Sequence, residues 1–311
     1  MDKQPIVCLM GPTASGKTEL ALALAQSFPL DVISVDSALV YRGMDVGTAK
    51  PDAATLRRVP HRLVDIRDPE DSYSAGDFVR DASAEIAASR ARGRIPFLVG
   101  GTMMYFRALT EGMAELPEAD ADIRADIDAE AAISGWPALH RQLAAVDEKA
   151  ARRIAPNDSQ RIQRALEVFR ISGKPLSEWH AGTAVPERSS SYLKIALLTD
   201  SRPALHGRIK ERLSQMMANG FVDEVRRLMA RPGLSSGHPS MRAVGYRQLW
   251  HFLAGNGSLS DAERKALAAT RQLAKRQLTW LRAEHQATVI DPLEIGALDT
   301  ITSLVREHVA R

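Results

Sequence analysis

The sequence predicts an α/β protein: a mostly parallel sheet flanked by helices, with an all-helical segment inserted into it. Three observations carry this. Short apolar runs of strand length alternate with segments of helical period from Ile6 to Val99, and such a run returns near Tyr192. The first run, Ile6-Val-Cys-Leu-Met10, leads directly into Gly11-Pro-Thr-Ala-Ser-Gly16-Lys17-Thr18 and then into the helical stretch Glu19 to Gln26, the strand–loop–helix setting of a P-loop. From about Leu116, by contrast, Glu, Asp, Ala and Arg alternate with helical period, and no strand signal returns before Tyr192. The expected organisation is a P-loop NTPase-like core over 1–115 and 187–311, including C-terminal helices, and a helical insertion domain over 116–186. A chain of 311 residues, 45% hydrophobic and 25% charged, is long enough for a large core and two domains.

The P-loop specifies an anion site. Its glycines let the backbone of Gly11, Pro12, Thr13, Ala14, Ser15 and Gly16 bend round a phosphate with the N–H groups turned inward. Lys17 adds a mobile charge, the Thr18 hydroxyl is a ligand for Mg²⁺, and the following helix points its positive end at the same spot. The motif implies a bound diphosphate or triphosphate and leaves open whether that group belongs to a nucleotide.

The remaining elements follow in order. Leu30 to Val35 is a second buried strand ending in Asp36-Ser37-Ala38-Leu39, and strand carboxyl ends are where open α/β sheets bind ligands. Tyr41 to Pro51 has two glycines and no period, so it is an ordered loop over that edge, a place that usually touches substrate. A short third strand is expected at His61–Asp65 and a helix from Ser74 to about Arg92. Ile95 to Val99 is the fourth strand, closed by Gly100-Gly101-Thr102. The glycines allow another molecule to approach the backbone, and Thr102 is both a helix cap and a ligand contact in this reading.

In the insertion, Pro156-Asn157-Asp158 starts a helix with Ile162, Ala165, Leu166 and Phe169 inward and Gln160, Arg161 and Arg164 opposite, a face that by itself reads more readily as solvated than as an RNA contact. Leu193 to Thr199 rejoins the sheet. Ser201 and Pro203 open a helix with Leu205, Ile209, Leu213 and Met216 inward and Gly220 as its stop. Another helix begins at Ser240 and carries Tyr246 between Arg242 and Arg247. Asp261 is expected to cap a long helix over Ala262–His285, before a short strand at Thr288–Ile290 and a terminal helix. On the long helix Arg264, Arg271, Lys275 and Arg282 share one stripe, beside an apolar edge of Leu267, Ala274, Leu278 and Leu281, a pattern able to track a nucleic-acid backbone.

Composition narrows the setting. The net charge of +3 permits an RNA partner without requiring one. No apolar run reaches the roughly 18 residues of a spanning helix and no basic leader precedes an apolar segment, so neither membrane anchor nor signal peptide is expected. The lone Cys8 lies in the first strand as a small buried hydrophobe, which points to a reducing, cytoplasmic location. Asp36 suits a general base beside a diphosphate leaving group, against its reading as a turn former. Asp65 is the weaker candidate for the Mg²⁺ aspartate of a kinase.

Six motifs taken together resemble the bacterial tRNA dimethylallyltransferase (tRNA isopentenyltransferase) family: 11–18 as quoted, Asp-Ser-Ala-Leu-Val-Tyr-Arg-Gly-Met-Asp-Val-Gly-Thr-Ala-Lys-Pro at 36–51, Val-Gly-Gly-Thr at 99–102, Asn-Asp-Ser-Gln-Arg-Ile-Gln-Arg-Ala-Leu-Glu-Val at 157–168, Arg-Ala-Val-Gly-Tyr-Arg at 242–247 and Lys-Arg-Gln-Leu-Thr-Trp-Leu-Arg at 275–282. The resemblance implies transfer of a dimethylallyl group from dimethylallyl diphosphate to N6 of the adenosine just 3′ of the anticodon, position 37, in tRNAs reading codons that begin with U. The products are N6-dimethylallyladenosine and diphosphate. It implies Mg²⁺ as cofactor, tRNA as partner, a monomer, and catalytic roles for Asp36, Lys17, Thr18 and Thr102.

By the same resemblance, tRNA contacts fall on Asp36, Ser37, Ala38, Leu39, Thr102 and Arg124. Further contacts fall on Gln160, Arg161, Ile162, Gln163 and Arg164, on Arg242, Ala243, Val244, Gly245, Tyr246 and Arg247, and on Lys275, Arg276, Gln277, Leu278, Thr279, Trp280, Leu281 and Arg282. Two other classes compete: a P-loop small-molecule kinase, exposed by ATP turnover, and an RNA-binding protein with a nucleotide switch, exposed by RNA affinity without a covalent product.

Overall fold

The computed structural model describes residues 4–181 and 190–310. In chain order it contains β1 (Gln4–Met10), α1 (Lys17–Ser27), β2 (Leu30–Val35), α2 (Ala53–Arg58), β3 (His61–Arg62), α3 (Ala75–Ala91), β4 (Ile95–Gly100) and α4 (Met103–Glu111). The helices α5 (Ala121–Ser134), α6 (Trp136–Val146), α7 (Glu148–Ala151), α8 (Ser159–Ser172) and α9 (Leu176–Ala181) follow. The chain then runs through β5 (Ser190–Leu197), α10 (Arg202–Ala218), α11 (Phe221–Met229), a 3₁₀ turn at Ser240–Arg242, α12 (Tyr246–Leu253), α13 (Leu259–Arg282), β6 (Thr288–Ile290) and α14 (Ala297–Val309). Two compact units result, Met1–Leu109 with Arg188–Arg311, and Thr110–Glu187.

The first unit is built on six parallel strands in the order β3-β2-β4-β1-β5-β6. Register explains where its chemistry gathers. Gly100 of β4 lies opposite both Met10 of β1 and Val35 of β2, and Met10 lies opposite Ala196 of β5. The loops that leave β1, β2 and β4 therefore emerge side by side at one edge. Successive side chains of a strand face opposite ways, so Ile6, Cys8 and Met10 join Ile33, Val35 and Leu98 in one core, while Val7 and Leu9 join Val32, Phe97 and Val99 in the other. Both faces are covered, which is why these strands read as unbroken apolar runs. Among the described residues no helix is long and apolar enough to cross a membrane.

Several expectations are corrected here. The third strand is two residues long, because Leu63 and Asp65 adopt φ of 62° and 56° and the chain turns. The long helix α13 is capped by Ser258, whose hydroxyl accepts from the Asp261 N–H, so Asp261 lies in the first turn rather than at the cap. Gly220 ends α10 as expected but at φ 89° also opens α11, a helix the sequence pattern does not single out. The helix expected from Ser240 is broken at Gly245, whose φ of 92° and close approach to the Phe221 ring exclude a side chain.

The second unit has its own core of Ile127, Leu139, Leu143, Ile162 and Leu166. Glu167 is fully buried within it. Its carboxylate accepts the Asp120 N–H at 2.9 Å, Arg124 Nε at 2.8 Å and Arg164 Nη1 at 2.7 Å. Burial acts to raise this carboxyl, but the bonds from the two arginines outweigh it and hold Glu167 below the usual range.

Candidate active site at the carboxyl edge of the sheet

The loop between β1 and α1 forms a cradle. Ala14 and Gly16 take positive φ, 62° and 89°, which turns successive N–H groups toward one concavity. Lys17 Nζ lies across the loop, donating to the carbonyls of Gly11 (2.9 Å) and Pro12 (2.6 Å) and reaching Ser15 Oγ at 3.4 Å. Burial pushes the Lys17 ammonium down to about 7. The Arg212 charge acts in the same direction, and Asp36 and Glu19 oppose it. Thr18 is exposed in the first turn of α1.

Two arginines one turn apart on α10 complete the positive field, and the sequence pattern did not mark either. Arg208 Nη2 lies 3.3 Å from where a Cβ on Gly16 would stand. Arg212 donates to the Thr48 carbonyl at 3.0 Å, and burial lowers its pKa against the opposing charges of Asp36 and Glu19. Their i, i+4 spacing is the only local signal that could have grouped them.

Beside the cradle, the Asp36 carboxylate shapes its own turn: Oδ1 accepts the N–H groups of Ala38 (2.8 Å) and Leu39 (3.3 Å), leaving Oδ2 without a hydrogen bond among the described residues. The turn former and the free carboxylate oxygen thus coexist in one residue. Thr102 binds this turn. Its Oγ1 accepts the Ser37 N–H at 3.1 Å and its own N–H donates to the Val35 carbonyl at 3.2 Å, so the residue ties two loops together, while its carbonyl accepts the Tyr105 and Phe106 N–H groups at the start of α4. The glycines before it serve the protein's own packing. A Cβ on Gly100 would collide with the Val35 carbonyl, and one on Gly101 would lie 2.5 Å from Gln277 Nε2.

The Tyr41–Pro51 loop is held from below. The buried Glu224 of α11 accepts the N–H groups of Asp45 (2.9 Å), Val46 (2.7 Å) and Gly47 (3.0 Å) and the Tyr246 hydroxyl (2.6 Å). Burial beside that carboxylate pushes the Tyr246 hydroxyl well above its ordinary pKa. Lys50 bridges Asp45 (2.6 Å) and Asp65 (2.5 Å), so Asp65 is committed to an ion pair rather than to a metal.

Of the expected RNA-facing side chains, Ile162, Tyr246, Leu278 and Leu281 are buried and Gly245 packs against Phe221. These anchor their segments instead of facing a ligand. Arg124 and Arg164 are tied to Glu167, and Gln163 donates to Asp128 at 2.7 Å. Gln277 turns inward to the P-loop. Ser37, Gln160, Arg161, Arg242, Arg247, Lys275, Arg276, Thr279, Trp280 and Arg282 are exposed, while Ala38, Leu39, Thr102, Ala243 and Val244 are partly so. Arg124 and Gln160–Arg164 belong to the second unit, the others to the first. Among the described residues no group of three or more His, Cys, Asp or Glu side chains is placed to hold a metal.

The family model described as IPP transferase matches residues 39–284. This chain belongs to the IPP transferase family. It is similar to the tRNA dimethylallyltransferase of Thiobacillus denitrificans, 55% identical over 307 residues covering 98% of this chain and 97% of the relative. It is also similar to that of Cupriavidus necator, 53% identical over 305 residues covering 96% and 95%. Among solved structures, the full-length tRNA isopentenylpyrophosphate transferase of Bacillus halodurans aligns with a TM-score of 0.72 at 35% identity over 99% of this chain and 97% of that one. These relatives extend over the P-loop and Asp36, which lie outside the family model's span. As a member of this family the protein is a transferase.

Proposed function

We propose that this family member is a tRNA dimethylallyltransferase acting on N6 of the adenosine at position 37, 3′ of the anticodon, with dimethylallyl diphosphate as donor. The observation that carries the reading is Asp36. One carboxylate oxygen is fixed to its turn and the other has no hydrogen bond among the described residues, in the electrostatic field of Lys17 and Arg212. An adenine amine is a weak nucleophile because its lone pair is delocalised. Asp36 accepts its proton as N6 bonds to C1 of the allyl group, while the C1–O bond breaks and its electron pair leaves with the diphosphate. Lys17, Arg212, Arg208 and the N–H groups of the P-loop stabilise the charge that grows on that leaving group, and Thr102 holds the Asp36 turn in place.

Mg²⁺ fits this site by the chemistry of its donors. It is held through few protein oxygens together with phosphate oxygens and water, and Thr18 offers such an oxygen next to the cradle. When bound it would neutralise diphosphate charge. The target base is flipped out of the anticodon loop to reach the donor, and the exposed cations of α8 and α13 hold the RNA backbone. A tRNA substrate places the proposed reaction in the cytoplasm, and we take a monomer as the working unit.

The test is incubation of labelled dimethylallyl diphosphate with an anticodon stem-loop, followed by nucleoside analysis. Labelled N6-dimethylallyladenosine is expected. ATP turnover on a small acceptor, lost in Lys17→Ala and without prenyl transfer, would establish the kinase reading instead.

A further inference from the structure

The Gln277 carboxamide is used at both ends. Its Oε1 accepts the Thr13 N–H at 2.9 Å and its Nε2 donates to the Gly101 carbonyl at 2.9 Å. Thr13 belongs to the loop after β1 and Gly101 to the turn after β4, so one side chain joins two strand-end loops. A backbone bond from the Gly11 N–H to the Gly100 carbonyl, 3.3 Å, runs beside it. Gly101 is what lets the amide in, since a Cβ there would overlap Nε2.

The side chain is also held in place by its helix. Ala274 and Leu278 of α13 pack on Leu205 and Ile209 of α10 and on Ala14 of the P-loop, while the neighbouring Lys275, Arg276 and Thr279 face solvent. From Gln277 a continuous set of contacts runs through Gly101 to Thr102, from the Thr102 hydroxyl to the Ser37 N–H, and so to Asp36. The amide thus adds a side-chain tie, beside the Gly11–Gly100 backbone bond, to the spacing between the phosphate cradle and the carboxylate.

We propose that Gln277 is a positioning residue, whose carboxamide locks the phosphate loop to the Gly100–Thr102 turn and so fixes the diphosphate relative to Asp36. The inference rests on the prenyl-transfer reading above for its catalytic consequence, and on geometry alone for the lock itself. It replaces the expectation that Gln277 contacts tRNA. Only an amide serves both partners: a carboxylate accepts from Thr13 but cannot donate to Gly101, and alanine does neither.

The test uses the full-length protein, Gln277→Ala and Gln277→Glu. Three quantities are read: kcat and KM for dimethylallyl diphosphate with an anticodon stem-loop, the stem-loop Kd, and amide hydrogen exchange at Thr13. In Gln277→Ala, kcat should fall by about 10- to 100-fold, the scale of a sub-ångström to 1 Å misplacement. Thr13 exchange should accelerate, and the stem-loop Kd should stay within about twofold. Gln277→Glu should restore slow exchange at Thr13 but not kcat.

Unchanged Thr13 exchange in Gln277→Ala, or a stem-loop Kd weakened about tenfold with kcat intact, overturns the proposal and returns Gln277 to the RNA interface. Wild-type kcat in Gln277→Glu overturns it as well, and that variant carries the test if the alanine protein does not fold. If the wild-type protein transfers no prenyl group, the functional reading falls while the exchange comparison still decides whether Gln277 locks the loops.

Discussion

Binding of the allyl diphosphate should draw a proton from solution through Lys17. In the free protein burial and the Arg212 charge hold Lys17 at about 7, so at pH 8 only about a tenth of the molecules carry the ammonium. A diphosphate monoester, carrying about three negative charges at pH 8, laid on the nitrogen favours the charged form and returns the pKa toward its ordinary value of 10.5. The lysine takes up about 0.9 proton per ligand at pH 8, about 0.5 at pH 7 and about 0.1 at pH 6, and at pH 8 the diphosphate is already fully ionised, so the lysine alone sets the total there. Recharging the lysine at pH 8 costs about 1.4 kcal/mol of affinity, one pKa unit's worth.

The assay is titration calorimetry of dimethylallyl diphosphate at each pH in two non-phosphate buffers of different ionisation enthalpy, Tris and HEPES at pH 8, the difference in heat giving the protons exchanged. Phosphate buffers are avoided because they compete for the loop. Lys17→Ala should abolish the uptake, and Arg212→Ala should reduce it at pH 8 by letting Lys17 stay charged. Zero uptake at pH 8 in the wild-type protein, or an uptake that survives in Lys17→Ala, refutes the reasoning.

Asp36→Asn should keep the turn, since the amide oxygen still accepts from Ala38, yet lower the transfer rate by about 10² to 10⁴; a near-normal rate in a folded protein removes Asp36 as the base. Glu224→Ala leaves three N–H groups of the 45–47 loop without their acceptor and should lower unfolding stability by about 3 kcal/mol or more, whereas Tyr246→Phe, losing one bond, should cost about 1 kcal/mol; denaturant melts compare the two. Alanine at Arg161, Lys275 or Arg282 should weaken stem-loop binding and flatten its salt dependence by about one counterion each, measured by binding isotherms across salt; an unchanged slope in all three makes these faces merely solvated. Arg124→Ala and Arg164→Ala should act chiefly on the stability of the 110–187 unit. The Glu167 contribution they support is present above the ordinary carboxyl value of 4.5 and lost as pH falls through the lower folded value, which pH-dependent melts would show.

The sequence by itself determined the elements whose signal is local. The apolar run before Gly11-Pro-Thr-Ala-Ser-Gly-Lys-Thr fixes a strand and its phosphate loop. The apolar run of β2 ends at Val35, so Asp36 had to emerge at the loop's level once the strands ran parallel. The stripe on α13 and its buried edge of Ala274, Leu278 and Leu281 follow from helical period alone. Tertiary structure decided what those elements do to one another. Gln277 reaches a loop 264 residues away, and Glu224 holds one nearly 180 residues earlier in the chain. Periodicity records which face of a helix is apolar but not which polar group across the fold lies within hydrogen-bonding distance. For the same reason polar positions that looked free proved committed: Arg164 and Arg124, themselves partly exposed, close on a buried carboxylate, and Tyr246 is buried against Glu224. Such contacts depend on strand register and helix packing, which bring together N–H groups, carbonyls and charges that carry no mark in the local pattern of residues.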